Sequence, residues 1–127
     1  MNQSTNILII EDDNTYQKLY RKAFEDSGYN VAVASDGQEG IEKIVSIKPD
    51  MVLLDLLMPI KNGFDVLREV RAIPEHKETP IIILSNLSQE DDIAECKKYG
   101  ILDFLVKTDL TMKDVVNKVD SLVNKVS

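Results

Sequence analysis

The sequence holds one cysteine, Cys96, so no intramolecular disulfide can form and no cysteine cluster can bind a metal. That usage fits a reducing compartment, and Cys96 reads as a free, partly buried thiol. Long apolar runs are missing too: nothing approaches the roughly 18 uninterrupted residues that a membrane span needs. Met1 to Asn6 carries neither a basic n-region nor a hydrophobic h-region, so the expected location is cytoplasmic, without membrane contact. Glycine and proline are scarce, at 5 and 4 residues, which excludes fibrous and disordered classes. Positive charge is also short. With 15 Lys and Arg against 22 Asp and Glu, the net charge is −7. No basic run is present to neutralise phosphates, so direct nucleic-acid binding is not expected. An acidic surface instead suits a protein partner of complementary charge.

What is present is a rhythm. Short aliphatic runs, Ile7 to Ile10, Val31 to Ala34, Met51 to Leu54, Ile81 to Leu84 and Ile101 to Val106, read as strands buried on both faces, with the second equally suited to a sheet edge. Helical spacing lies between them. Tyr16, Leu19, Tyr20, Ala23 and Phe24 mark a helix ending at Ser27-Gly28, where glycine can turn left-handed. Ile41, Ile44 and Val45 mark a second, ending before Pro49. Phe64, Val66, Leu67, Val70 and Ile73 mark a third that Pro74 closes. The fourth opens at the capping pattern Ser88 to Asp91 and stops at Tyr99-Gly100. The fifth opens at Thr111 to Asp114 and buries Val115, Val119, Leu122 and Val126. Its 127 residues suit one domain, 1–127 with a core of about 6–126. Strict βα alternation predicts a doubly wound five-stranded parallel sheet of order 2-1-3-4-5, with its site at the carboxyl ends of the strands.

The residues at those ends are Glu11 and Asp12 after strand one, Asp55 after strand three, Ser85 after strand four and Lys107 after strand five. The stretch Glu11-Asp12-Asp13 is costly: like charges about 5 Å apart repel by roughly 3 kcal/mol at an effective dielectric of about 20. Three carboxylates on one crevice suit magnesium, with manganese as the alternative, and a bound cation would offset that repulsion. A phosphoryl group could then approach Asp55 as nucleophile, with Ser85 donating a hydrogen bond and Lys107 neutralising charge. One of Asp12, Asp13 and Asn14 also caps the first helix, a job assigned to Asp13 or Asn14. His76, in a polar stretch without a second ligand, reads as a solvated loop residue.

The stretches ILIIEDD (Ile7 to Asp13), DMVLLDLLMPIKNGFDVL (Asp50 to Leu67), PIIILS (Pro80 to Ser85) and DFLVK (Asp103 to Lys107) resemble the receiver domain of two-component response regulators, over nearly the whole chain. The resemblance implies a flavodoxin-like (βα)5 fold and a standalone phosphoryl-accepting switch, an alternative being an adaptor that is never phosphorylated. It implies Asp55 as phosphoacceptor, Glu11, Asp12 and the Leu57 backbone carbonyl as further metal ligands, and Ser85 and Phe104 moving together. The implied partners are a sensor histidine kinase or histidine phosphotransfer protein, and a target on the face of helix four, strand five and helix five, with the protein monomeric or weakly dimeric.

Three features depart from the family pattern. Asn86 follows Ser85 where a small residue is usual, which would narrow the donor's entrance or add a contact to the phosphoryl group. Thr108 replaces the usual proline after Lys107, so that bond should be trans and free of slow isomerisation. Leu57 and Leu87 flank the expected path of an attacking water and cannot orient it, which predicts slow self-dephosphorylation. Turnover of external substrates is not expected, because an aspartyl phosphatase needs a second aspartate where Leu57 stands. A flavin site is disfavoured as well, since the acidic loop after strand one would repel its phosphate.

Overall fold

A computed structural model describes residues 5–126. Five strands, β1 (Asn6–Ile10), β2 (Asn30–Ala34), β3 (Met51–Leu54), β4 (Ile81–Ser85) and β5 (Asp103–Val106), alternate with five helices, α1 (Asn14–Asp26), α2 (Gly37–Ile47), α3 (Gly63–Arg71), α4 (Glu90–Lys98) and α5 (Met112–Val126). All neighbouring strands are parallel, in the order β2-β1-β3-β4-β5, so β2 is an edge. The period-two alternation of strand side chains divides the core. Ile7, Ile9, Met51, Leu53, Ile82 and Leu84 pack with Phe24 of α1 and Val115 and Val119 of α5. Leu8, Ile10, Val52, Leu54, Ile81 and Ile83 pack on the other side with Ile44, Val66, Leu67, Val70 and Cys96. Each such side chain contributes about 1.5–3 kcal/mol when fully buried. Both faces are therefore closed by helices, and the open surface is the rim where the strands end.

Helix ends follow local chemistry. Asp13 caps α1, its carboxylate accepting the Tyr16 N–H at 3.0 Å, and Gly28 after the helix takes φ 95°. Asn62 and Asp65 form a reciprocal box at the start of α3, and Thr111 and Asp114 do so at α5. At α4 the expected cap moves by one residue: the Gln89 N–H, not that of Ser88, donates to a carboxylate three residues on, that of Asp92, at 3.2 Å.

Other boundaries shift as well. β5 starts at Asp103, because Ile101 and Leu102 only lead into the ladder, which opens with Ile82 opposite Asp103. α3 stops at Arg71, and Pro74 instead begins a 3-10 turn, Pro74–His76. On α5 the buried stripe is Val115, Val116, Val119 and Val123, with Leu122 half-buried beside it, while the Val126 side chain lies outside the described residues. Cys96 is wholly rather than partly buried. His76 is not a solvated loop residue. It is 3% exposed, its Nδ1 lies 2.8 Å from the Thr79 hydroxyl, and the 3-10 turn folds it inward. Beside it Arg71 reaches across the pole opposite the rim, donating to the carbonyls of Tyr99, His76 and Gly100 at 2.7, 2.9 and 2.8 Å. No described helix is long and apolar enough to cross a membrane.

Candidate functional site

Strand register brings the acidic residues together. Ile10 pairs with Leu54, so the next residues, Glu11 and Asp55, leave adjacent strands side by side, and the Asp55 N–H still reaches the Ile10 carbonyl at 3.1 Å. Oxygens of Glu11, Asp12 and Asp55 lie within 4.8 Å of one another. Glu11 and Asp55 are buried and Asp12 is exposed at the mouth. Gly63 lets the loop after β3 fold closely over this point. A Cβ there would lie 2.4 Å from the Asp55 carbonyl oxygen, and the Gly63 N–H donates to the Leu56 carbonyl at 2.9 Å. Replacing Gly63 would therefore push on the backbone of Asp55 itself.

Lys107 lies among the carboxylates, its side chain 4% exposed. Its ammonium donates to Asp55 Oδ2 at 2.9 Å and to Glu11 Oε1. Asp55 Oδ1 accepts the Leu56 N–H at 2.7 Å and, more weakly, the Leu57 N–H at 3.4 Å. Burial works against the Lys107 charge, but its bonds to Glu11 and Asp55 outweigh that and hold its pKa above the ordinary lysine value. For Glu11 burial dominates and holds its carboxyl above the usual carboxylate range, although Lys107 and the Asp13 N–H favour its charge. Two carboxylates share one ammonium, so the cluster stays net negative and retains an all-oxygen donor set that fits a hard divalent cation.

Ser85 is fully buried beside this cluster, and its Oγ accepts the Leu87 N–H at 3.2 Å, a bond that leaves the hydroxyl proton available to donate. Asn86 is exposed, and its Oδ1 accepts the Thr108 N–H at 3.1 Å. The two departures thus contact each other, since a proline at 108 would have no N–H to give. No peptide bond among the described residues is cis. Leu57 projects outward, 58% exposed, whereas Leu87 and Phe104 are half-buried against the core.

Two residues at the site went unread in the sequence. The Lys107 ammonium sits 4.4 Å from the centroid of the Tyr16 ring, which stacks on Tyr20 at 5.7 Å. Gln17 Nε2 donates to the Glu11 carbonyl at 2.8 Å, tying α1 to the acidic loop. Helical spacing assigned Tyr16 to the core stripe. The available signal was its position in the first turn after Asp12, the turn nearest the rim.

Comparison with known proteins agrees with this fold. The model of the response regulator receiver domain matches residues 7–120. The chain is 31% identical over 126 residues to the transcriptional regulatory protein RprY of Bacteroides fragilis, covering 99% of this chain and 52% of that protein. It is 36% identical over 103 residues to the response regulator ArlR of Staphylococcus saprophyticus, covering 81% and 46%. It thus spans about half the length of these curated relatives. The solved receiver domain of a Francisella response regulator superposes with a TM-score of 0.87 at 27% identity, covering 98% of this chain and 100% of that one. With this match over most of its length, the chain belongs to the response regulator receiver domains, the phosphoryl-accepting signalling domains of two-component systems.

Proposed function

We propose that the chain is a single receiver unit in which Asp55 takes a phosphoryl group from a phosphohistidine, carried by a sensor histidine kinase or a histidine phosphotransfer protein. The observation that carries this reading is the meeting of Glu11, Asp12 and Asp55 with the Lys107 ammonium on one rim. An Asp55 oxygen attacks phosphorus, the P–N bond breaks, and its electron pair leaves on the imidazole as the aspartyl phosphate forms. Lys107 neutralises one phosphoryl oxygen and the Ser85 hydroxyl donates to another. Glu11, Asp12, Asp55 and the Leu57 carbonyl would hold magnesium, which supplies charge neutralisation to the incoming phosphoryl group.

Ser85 and Phe104 then shift together and change the α4-β5-α5 face, where a protein target binds, in the cytoplasm. Leu57 and Leu87 offer no group to position water, so the aspartyl phosphate is long-lived. Intact-mass measurement after treatment with acetyl phosphate and magnesium tests the assignment. Wild type gains one phosphoryl mass, Asp55→Asn gains none, and omission of magnesium lowers the yield. A wild type that gains nothing would instead support the adaptor.

A further inference from the structure

We propose that Tyr16 is a positioning residue for phosphoryl acceptance, its ring holding the Lys107 ammonium over the crevice while that ammonium exchanges a carboxylate for a phosphoryl oxygen. The proposal rests on the reading of Asp55 as phosphoacceptor. Lys107 gives two of its three N–H donors to Glu11 and Asp55, and its ion pair with Asp55 ends when that carboxylate becomes the uncharged acyl group of an acyl phosphate. During that exchange the ammonium is buried with fewer partners, and an unpaired buried charge is costly. The Tyr16 ring supplies a contact that persists. Its centroid lies 4.4 Å from Nζ, inside the roughly 6 Å range of cation–π attraction, and a ring face neither coordinates a metal nor competes for the phosphoryl group.

The ring is itself fixed from two sides. The Tyr16 N–H donates to the Asp13 carboxylate at 3.0 Å, which sets the first turn of α1. Tyr20, 2% exposed, stacks on it with an interplanar angle of 14°. The helix cap beside the acidic loop thus sets where the lysine that follows the fifth strand can sit. A tyrosine that merely filled space could be exchanged for leucine without affecting the lysine.

The experiment uses the full chain with Tyr16→Phe and Tyr16→Leu. Lysine side-chain NMR without metal or phosphate reads the contact. Phosphorylation by acetyl phosphate with magnesium, timed by intact mass, reads the role. The Lys107 ε-methylene protons are expected upfield of the other lysines in wild type and Tyr16→Phe, and at the ordinary position in Tyr16→Leu. Tyr16→Phe should accept phosphate at the wild-type rate and Tyr16→Leu about 3- to 10-fold more slowly. Equal rates in Tyr16→Leu and wild type overturn the proposal while Asp55-dependent labelling keeps the phosphoacceptor reading. A Tyr16→Phe as slow as Tyr16→Leu also overturns it, because the hydroxyl would then be responsible. A wild type that gains no mass overturns the Asp55 reading and the role of Tyr16 with it.

Discussion

Leu57 and Leu87 stand two residues beyond Asp55 and Ser85, and neither side chain carries a group that could hydrogen-bond an attacking water. The exposed Leu57 can change without disturbing the core, so Leu57→Asn is expected to speed loss of phosphate after acetyl-phosphate loading, followed by timed intact mass; an unchanged half-life would remove leucine as the cause. Leu87→Glu should act in the same direction with some loss of stability, because Leu87 packs against the core. Nearby, Ile60 carries a different burden. It is β-branched, 77% exposed and held at φ 71°, a conformation that costs about 1–2 kcal/mol for an L residue. Glycine removes that strain at an entropic cost of about 0.5–1 kcal/mol, so Ile60→Gly should raise the urea midpoint by the equivalent of about 0.5 kcal/mol. A lowered midpoint would mean that Ile60 makes a native contact that outweighs its backbone strain.

Helix starts concentrate the electrostatics of the elements. The Arg68 side chain and the Asn62 N–H hold the Asp65 carboxyl below its usual range; the Thr111 N–H does the same for Asp114, and the Ser35 N–H for Glu39. A carboxyl depressed on folding contributes stability that is complete above its unfolded pKa and is lost as pH falls through the folded value. Amide protection factors in the first turns of α3 and α5 should therefore fall below about pH 4, ahead of those in the central strands. Protection that stays uniform down to global unfolding would contradict this. These caps were mostly legible, because Asp13 and the Thr111 to Asp114 pair each stand just before an apolar-periodic stretch. Gln89 was not, because Ser88 offers the better side chain and only the backbone path shows which carboxylate comes round. His76 misled for a related reason: its neighbours are polar, and burial came from a 3-10 turn that no periodicity announces. The rim residues were readable because each follows an aliphatic run. Tyr16 was not, because a core residue and a cation-holding one share the same helical spacing.

At the scale of the whole molecule, parallel pairing follows from alternation, and the order follows once right-handed crossovers and the common doubly wound arrangement are added. Together they place Glu11, Asp12, Asp55, Ser85 and Lys107 at one end of the sheet, while Phe104 lies within β5. The other end is tied by Arg71, whose guanidinium binds carbonyls at the ends of the 3-10 turn and of α4. Burial lowers the Arg71 pKa from its ordinary value, yet hydrogen bonds involving a charged group are worth about 1.5–3 kcal/mol each. Arg71→Met should therefore lower stability by about 2–4 kcal/mol in urea titration, while the rate of phosphate uptake by folded protein changes little. A large drop in that rate would show that the two poles are coupled. Arg71 thus fastens the ends of the 3-10 turn and of α4 at the pole away from the acidic cluster, and none of its bonds reaches the loops that follow the strands. A change of charge at Asp55 can therefore alter the rim without breaking any bond that Arg71 makes.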